Sequence, residues 1–325
     1  MNAAASLSER LLQGDRAALA RLITWAENAD PRFAHELAAV WSRVGRAWRI
    51  GITGPPGAGK STLVNEAARL LRKDGKTVGI VAVDPSSPFT GGALLGDRIR
   101  MDERTLDPGV FIRSMASRGS HGGLSRASAS ACDVLDAFGF DRVLLETVGV
   151  GQAEYDVLDA ADTVVVVLCP GAGDSIQAMK AGLLEVADVL VVNKADQPGS
   201  DRLLNDLIEA THVRFTKRAW SVPVVAASAG TQSGVDGVLE AVEQHRAHLE
   251  AKGLDAARRA KRLEQVRHAV SESLTDALWG AGGVRERVAR ELTAGASPHA
   301  ISAALLSELL ACVQGLRAPS ANQGR

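Results

Sequence analysis

Apolar residues recur at helical spacing through the first 46 residues: Leu11, Leu12, Leu19, Leu22 and Trp25, then Leu37, Val40, Trp41 and Val44. That period predicts two or three packed helices, one of them starting at Pro31 after Asp30. From Trp48 to about Ala227 short β-branched runs alternate with helical stretches. The runs cover residues 49–53, 78–84, 110–113, 142–147, 163–169, 189–193 and 222–227. Several are apolar without alternation, as strands buried on both faces require. From Gly234 the helical period returns. Residues 251–267 are rich in Lys, Arg and Ala, and a helix over 268–279 follows. Gly280, Gly282 and Gly283 break it, two more helices span about 284–292 and 298–316, and 317–325 reads as a disordered polar tail.

Strands alternating with helices predict a mostly parallel sheet covered on both faces. The expected organisation is a helical N-terminal extension over 1–46, a central α/β domain over 47–250 and a C-terminal helical region over 251–325.

Within the central domain, residues 54–62 read Gly54-Pro55-Pro56-Gly57-Ala58-Gly59-Lys60-Ser61-Thr62. This is GxxxxGK[ST], entered from a strand and left by a helix expected over 60–73. Glycines let the backbone wrap closely around phosphates, with N–H groups and the helix N-terminus facing the anion. Lys60 is expected to reach the β- and γ-phosphates as a catalytic cation, and the Ser61 hydroxyl to bind Mg²⁺. The fold class is therefore α/β, a P-loop NTPase with helical extensions at both ends.

A later strand ends in Asn193-Lys194-Ala195-Asp196. Guanine presents two donors, N1–H and the 2-amino group, and a carboxylate accepts both. Asp196 is the expected base reader, with Asn193 bracing the loop and the Lys194 stem covering the base. Ser228-Ala229-Gly230 follows the last strand run, where a backbone N–H would face the guanine 6-oxygen.

The run over 142–147 continues as Glu146-Thr147-Val148-Gly149-Val150-Gly151-Gln152. A carboxylate at that strand end suits Mg²⁺, and Gly149 could offer its N–H to the γ-phosphate. Asp84, at another strand end, and Asp97 are further carboxylates, Asp97 reading equally as an ion-pair partner of Arg98 or Arg100. Gln152 is a candidate for orienting water, or a solvated residue; no residue is an obvious catalytic base, so slow hydrolysis is expected.

Composition narrows the rest. Of 325 residues, 46% are hydrophobic and 23% charged, an ordinary globular balance. The formal net charge of −1 gives no basis for binding nucleic acid or an anionic membrane. Cys132, Cys169 and Cys312 are far apart and form no CxxC pair, which points to free thiols in a reduced, cytoplasmic protein. No secretory signal or membrane span is apparent.

The chain resembles the methylmalonyl-CoA-mutase-associated GTPases of the MeaB/ArgK type, relatives of the methylmalonic aciduria type A protein. The matching segments are residues 51–62, Val83-Asp84-Pro85-Ser86-Ser87-Pro88, Gly91 to Arg98, Arg118-Gly119 with Gly122-Gly123-Leu124, Glu146 to Glu154, Pro170 to Asp174 with Gln177 and Lys180, and Asn193 to Asp196. They run in order through nearly the whole central domain. The sequence departs from the family pattern at Gln152-Ala153-Glu154, at Trp220-Ser221-Val222-Pro223 and in lacking a tryptophan near His268. The resemblance implies a GTP-hydrolysing chaperone of an adenosylcobalamin-dependent acyl-CoA mutase that gates cofactor loading and protects the mutase. It also implies a homodimer joined through the C-terminal helices. By carry-over, Ser61, Asp84, Asp97 and Glu146 surround Mg²⁺, and 171–180 is a further switch contacting the mutase. Two other classes stay in view. A nickel-insertion GTPase would call for His- or Cys-rich tracts, which seven scattered histidines do not supply. An ArgK-like transport-linked ATPase or kinase is opposed by the guanine-reading segment.

Overall fold

A computed structural model describes residues 5–84, 107–116, 121–147, 159–171, 183–214, 219–280 and 283–317. The chain divides into two compact units, residues 1–267 and 268–325.

In the first unit, three helices come first: α1 (Leu7–Leu12), α2 (Arg16–Glu27) and α3 (Arg32–Val40). Ser6 and Glu9 form a reciprocal capping box on α1, and the Asp15 carboxylate caps α2 through the N–H groups of Ala17 and Ala18. Among the described residues seven strands then build one sheet: β1 (Trp48–Thr53), β2 (Val78–Asp84), β3 (Val110–Ala116), β4 (Arg142–Glu146), β5 (Thr163–Leu168), β6 (Val189–Val192) and β7 (Val224–Ala226). Their order is β3-β2-β4-β1-β5-β6-β7 and every pairing is parallel.

The unbroken apolar strand runs have a direct cause. Alternate residues of each strand enter different cores. Ile50, Ile52, Ile80, Leu144, Val165 and Val191 pack with Leu63, Val64 and Ala67 of α4 (Lys60–Lys73). Val81, Val83, Val143 and Leu145 face the other way, against α5 (His121–Phe138) and the N-terminal helices through Leu19, Leu22 and Ile23. Val164, Val166, Leu190 and Val192 pack with Leu184 of α6 (Leu183–Val186) and with Leu203 and Leu207 of α7 (Ser200–Arg214). Each fully buried aliphatic side chain contributes on the order of 1.5–3 kcal/mol.

Three elements differ from the sequence pattern. β3 runs three residues beyond Arg113, because that charge is satisfied by Glu27 and Thr24 of α2 and the strand continues to the buried Met115. β7 begins only at Val224, since Pro223 has no N–H to give to the ladder, although its carbonyl accepts from Leu190 N at 2.9 Å. After α8 (Val235–Lys252) and the left-handed Gly253, the two C-terminal segments form one helix, α9 (Leu254–Gly280).

Arginines anchor the first turns of α9. Arg258 binds the Asp162 carboxylate at 2.8 and 2.7 Å and the Ala47 carbonyl at 2.9 Å. Arg262 reaches Asp133, which also accepts from the buried Arg49 at 2.7 Å. Burial opposes a charge on Arg49, but Asp133 and Asp136 outweigh it, and the guanidinium pKa lies above its ordinary value.

A second buried polar chain crosses the same end of the sheet. Trp48 Nε1 donates to Thr163 Oγ1 at 3.0 Å, and that oxygen lies 2.9 Å from His245 Nδ1. The indole can only donate, so the Thr163 hydroxyl accepts from it; the Asp188 carboxylate, which can only accept, faces Nε2 and favours the tautomer protonated there, with Nδ1 accepting from the Thr163 hydroxyl. That leaves the His245 Nε2 proton facing Asp188 at 3.6 Å. Burial pushes the His245 pKa below its usual value, against the opposing pull of Asp188. The unfolded chain therefore binds a proton that the folded chain resists. Stability is full above the ordinary imidazole pKa of about 6.5 and declines as pH falls below it. His245→Gln is expected to flatten this part of the profile, removing a slope of at most about 1.4 kcal/mol per pH unit. Urea unfolding of both proteins between pH 5 and 7.5 measures it; parallel profiles would contradict the assignment.

The second unit holds the rest of α9 with α10 (Val284–Thr293) and α11 (Pro298–Arg317). Arg287 of α10 makes a two-pronged ion pair with Glu308 of α11, both contacts near 2.8–2.9 Å. Along α9, Leu263, Val266, Val270 and Leu274 are all more than half exposed.

Candidate nucleotide site

The motif residues collect at one edge of the sheet. β1, β2, β4 and β6 all point their C-terminal ends there, where parallel α/β sheets bind ligands. β1 hands the chain to the loop 54–59, and α4 leaves it at Lys60.

Two glycines of that loop are dictated by close approach. At Gly54, φ is +146° and a Cβ would stand 2.0 Å from the Val167 carbonyl oxygen of β5. At Gly59, φ is +88° and a Cβ would stand 2.4 Å from Asn193 Nδ2. Ala58 is fully buried, and its N–H donates to the Pro55 carbonyl at 3.2 Å. Pro56, Gly57 and Thr62 complete the turn and the first turn of α4. Lys60 is buried; its Nζ donates to the carbonyls of Gly54 at 2.9 Å and Pro55 at 3.1 Å. The ammonium is thus held inside the curl of the loop, next to the amides that start α4.

Ser61 Oγ donates to Glu146 Oε1 at 2.5 Å. A hydroxyl and a carboxylate oxygen in contact form a hard, all-oxygen pair, the donor chemistry that suits Mg²⁺. Glu146 lies opposite Ala82 in the β2–β4 register, so Asp84 closes the neighbouring strand two residues further on. The Asp84 side chain, Asp97, Gly149, Gln152, and residues 172–180 with Asp174, Gln177 and Lys180 lie outside the described residues.

Asn193 is a brace with two ends. Its Nδ2 donates to the Ala58 carbonyl at 2.8 Å, and its Oδ1 accepts from Ala229 N at 3.0 Å. One side chain thereby ties the phosphate loop to the 228–230 turn. Lys194 turns through a left-handed φ of +57°. Ala195 N donates to Ala227 O and Asp196 N to Ser228 Oγ, both at 3.0 Å. Ser228 and Ser233 pair backbone to backbone, closing the loop that carries Gly230. Sequence spacing identifies Asn193 and Asp196. It gives no sign that the Ser228 hydroxyl oxygen accepts from the Asp196 backbone N–H, nor of the hydroxyl contact between Thr53 and Thr147 beneath the loop, since both join distant segments.

Comparison with known proteins agrees with this geometry. A family model described as methylmalonyl Co-A mutase-associated GTPase MeaB matches residues 19–283. The chain belongs to the MeaB family. Among MeaB-family relatives, a putative GTPase of Pyrococcus abyssi is 48% identical over 262 residues, covering 80% of this chain and 81% of that protein. The GTPase ArgK of Escherichia coli is 37% identical, covering 83% and 84%. The mouse protein named methylmalonic aciduria type A homolog, mitochondrial, is 34% identical, covering 77% of this chain and 64% of that one. A crystal structure described as an LAO/AO transport system kinase superposes with a TM-score of 0.73 at 29% identity, covering 94% and 96%. This MeaB-family chain is a P-loop GTPase, a hydrolase acting on GTP.

Proposed function

We propose that the chain is the GTP-hydrolysing chaperone of an adenosylcobalamin-dependent acyl-CoA mutase, methylmalonyl-CoA mutase or a close relative. In this reading it gates cofactor loading and protects the mutase. The observation that carries it is the MeaB match over 265 residues that contain every nucleotide motif described above (residues 19–283). The name of the mouse relative supports it. The test is GTP turnover with and without purified methylmalonyl-CoA mutase. Stimulation is expected, and Lys180→Ala is expected to reduce it while sparing intrinsic turnover. A mutase that neither binds nor stimulates the chain would contradict the reading.

In the same reading, loop amides and Lys60 hold the β- and γ-phosphates. Gly149 adds an N–H, Gln152 orients water, and Asp196 with the 228–230 turn reads guanine. Ser61 and Glu146, with Asp84 and Asp97, hold Mg²⁺, which would neutralise charge on the phosphates. Glu146→Gln removes an anionic oxygen from contact with Ser61. Half-saturating Mg²⁺ for hydrolysis is expected to rise by roughly 10- to 150-fold, the worth of about 1.5–3 kcal/mol. An unchanged Mg²⁺ titration would contradict the metal assignment.

The protein is read as a homodimer, supported by the exposed stripe Leu263, Val266, Val270 and Leu274 at helical spacing on α9. A cytoplasmic location is supported by free buried thiols: burial pushes Cys132 up to about 12, which keeps it inert. Among the described residues no helix is long and apolar enough to cross a membrane.

A further inference from the structure

Beneath the nucleotide loop, two threonine hydroxyls touch in the buried interior. Thr147 Oγ1 donates to Thr53 Oγ1 at 2.9 Å, and both residues are fully buried. Thr147 N also donates to Ile52 O at 3.0 Å, which carries the β1–β4 ladder one residue beyond Glu146. Packing alone does not ask for hydroxyls here. Valine fills the same volume, and valines fill the ends of the neighbouring strands at Val83, Val167 and Val192. A buried hydroxyl is costly unless paired, so the pair must serve the geometry around it.

Each threonine sits one peptide bond from a nucleotide-facing group. Thr53 precedes Gly54, whose carbonyl accepts from Lys60 Nζ at 2.9 Å. Thr147 follows Glu146, whose Oε1 accepts from Ser61 Oγ at 2.5 Å. Ser61 is joined to Lys60 by a peptide bond. The contacts therefore close a ring: Lys60, Gly54, Thr53, Thr147, Glu146, Ser61 and back to Lys60. Three of its links are covalent and three are hydrogen bonds. Two of those hydrogen bonds involve groups assigned to phosphate or metal. The third, Thr147 to Thr53, is left to hold the other two in register when nucleotide arrives.

We propose that Thr147 is a positioning residue for GTP hydrolysis, its hydroxyl closing the ring that sets Glu146 and Ser61 against Lys60. The inference rests on the GTPase reading of this site and deepens it. With the link cut, the β1–β4 ladder still holds the Glu146 backbone, but the tie between the residue after it and the residue that enters the loop is lost, and the carboxylate is less closely fixed against Lys60. Errors of about 1 Å in such sites cost up to about 100-fold in rate.

The test uses the full chain as Thr147→Val, Thr147→Ser, Thr53→Val and the Thr53→Val/Thr147→Val double variant. Single-turnover GTP hydrolysis, its Mg²⁺ dependence and GDP affinity are measured for each, with circular dichroism to follow folding. Thr147→Val is expected to lower the rate about 10-fold or more and to raise half-saturating Mg²⁺, leaving GDP affinity within about 2-fold. Thr147→Ser keeps the hydroxyl and is expected to restore both. Thr53→Val cuts the same link from the other side and should reproduce the defect. The double variant should be no worse than either single one, as partners in one contact are non-additive. If Thr147→Val does not fold, Thr53→Val and Thr147→Ser still decide the matter. Unchanged rate and Mg²⁺ dependence in the valine variants, a serine variant as impaired as valine, or strict additivity would overturn the proposal while GTP turnover by the wild type stood. A wild type without Mg²⁺-dependent GTP turnover would overturn the hydrolysis reading and this inference with it.

Discussion

Lys60→Ala is expected to lower single-turnover GTP hydrolysis by roughly 10²- to 10³-fold, the loss found when one preorganised charge-stabilising donor is removed. The expectation follows from where the ammonium is held. Lys60 is buried at the start of α4, and two loop carbonyls, Gly54 and Pro55, fix its Nζ at 2.9 and 3.1 Å. A charge already desolvated and oriented needs no reorganisation as negative charge builds on the departing phosphate. The alanine variant loses that donor and leaves the two carbonyls without their cation. Wild-type turnover in the variant would mean that the loop does not bind the transferred phosphate.

Asp196→Asn is expected to move nucleotide preference from GTP toward XTP. The carboxylate accepts from N1–H and the 2-amino group of guanine. Xanthine has an oxygen in place of that amino group, which a carboxylate repels, while an asparagine amide offers one donor and one acceptor. The substitution should leave the loop in place. Asp196 is fixed through its backbone, by its N–H on Ser228 Oγ and by Ala195 N on Ala227 O, neither of which involves the side chain that changes. Loss of a charge-assisted pair costs about 1.5–3 kcal/mol, or roughly 10- to 150-fold in GTP affinity. Competition binding of GTP and XTP to both proteins measures it. An undiminished GTP preference in the variant would show that Asp196 does not read the base.

Much of this site is legible in the sequence because its chemistry is local. β2 over residues 78–84 and α4 over 60–73 stand where the hydrophobic pattern places them. Gly54 and Gly59 are needed where a side chain would strike Val167 O and Asn193 Nδ2. Local pattern misleads where a distant partner pays for a charge. Arg113 reads as the end of a strand, yet Glu27 lets β3 continue beneath α2. The basic stretch 251–267 and the helix read over 268–279 prove to belong to one helix, α9, which starts only after the left-handed Gly253. Pairings across the fold stay hidden for the same reason. Thr53 and Thr147 are 94 residues apart, and Arg258 meets Asp162 across 96. No spacing rule connects such residues; only the sheet order brings them together.

The most direct test of the account is a nucleotide competition on the wild-type chain with Mg²⁺ present. Hydrolysis of labelled GTP is followed while unlabelled GTP, GDP or ATP is added. The account predicts Mg²⁺-dependent turnover that GTP and GDP suppress, with ATP weaker by about tenfold or more, because adenine lacks the donor pair that Asp196 accepts. Equal suppression by ATP, or turnover of ATP in preference to GTP, would contradict it.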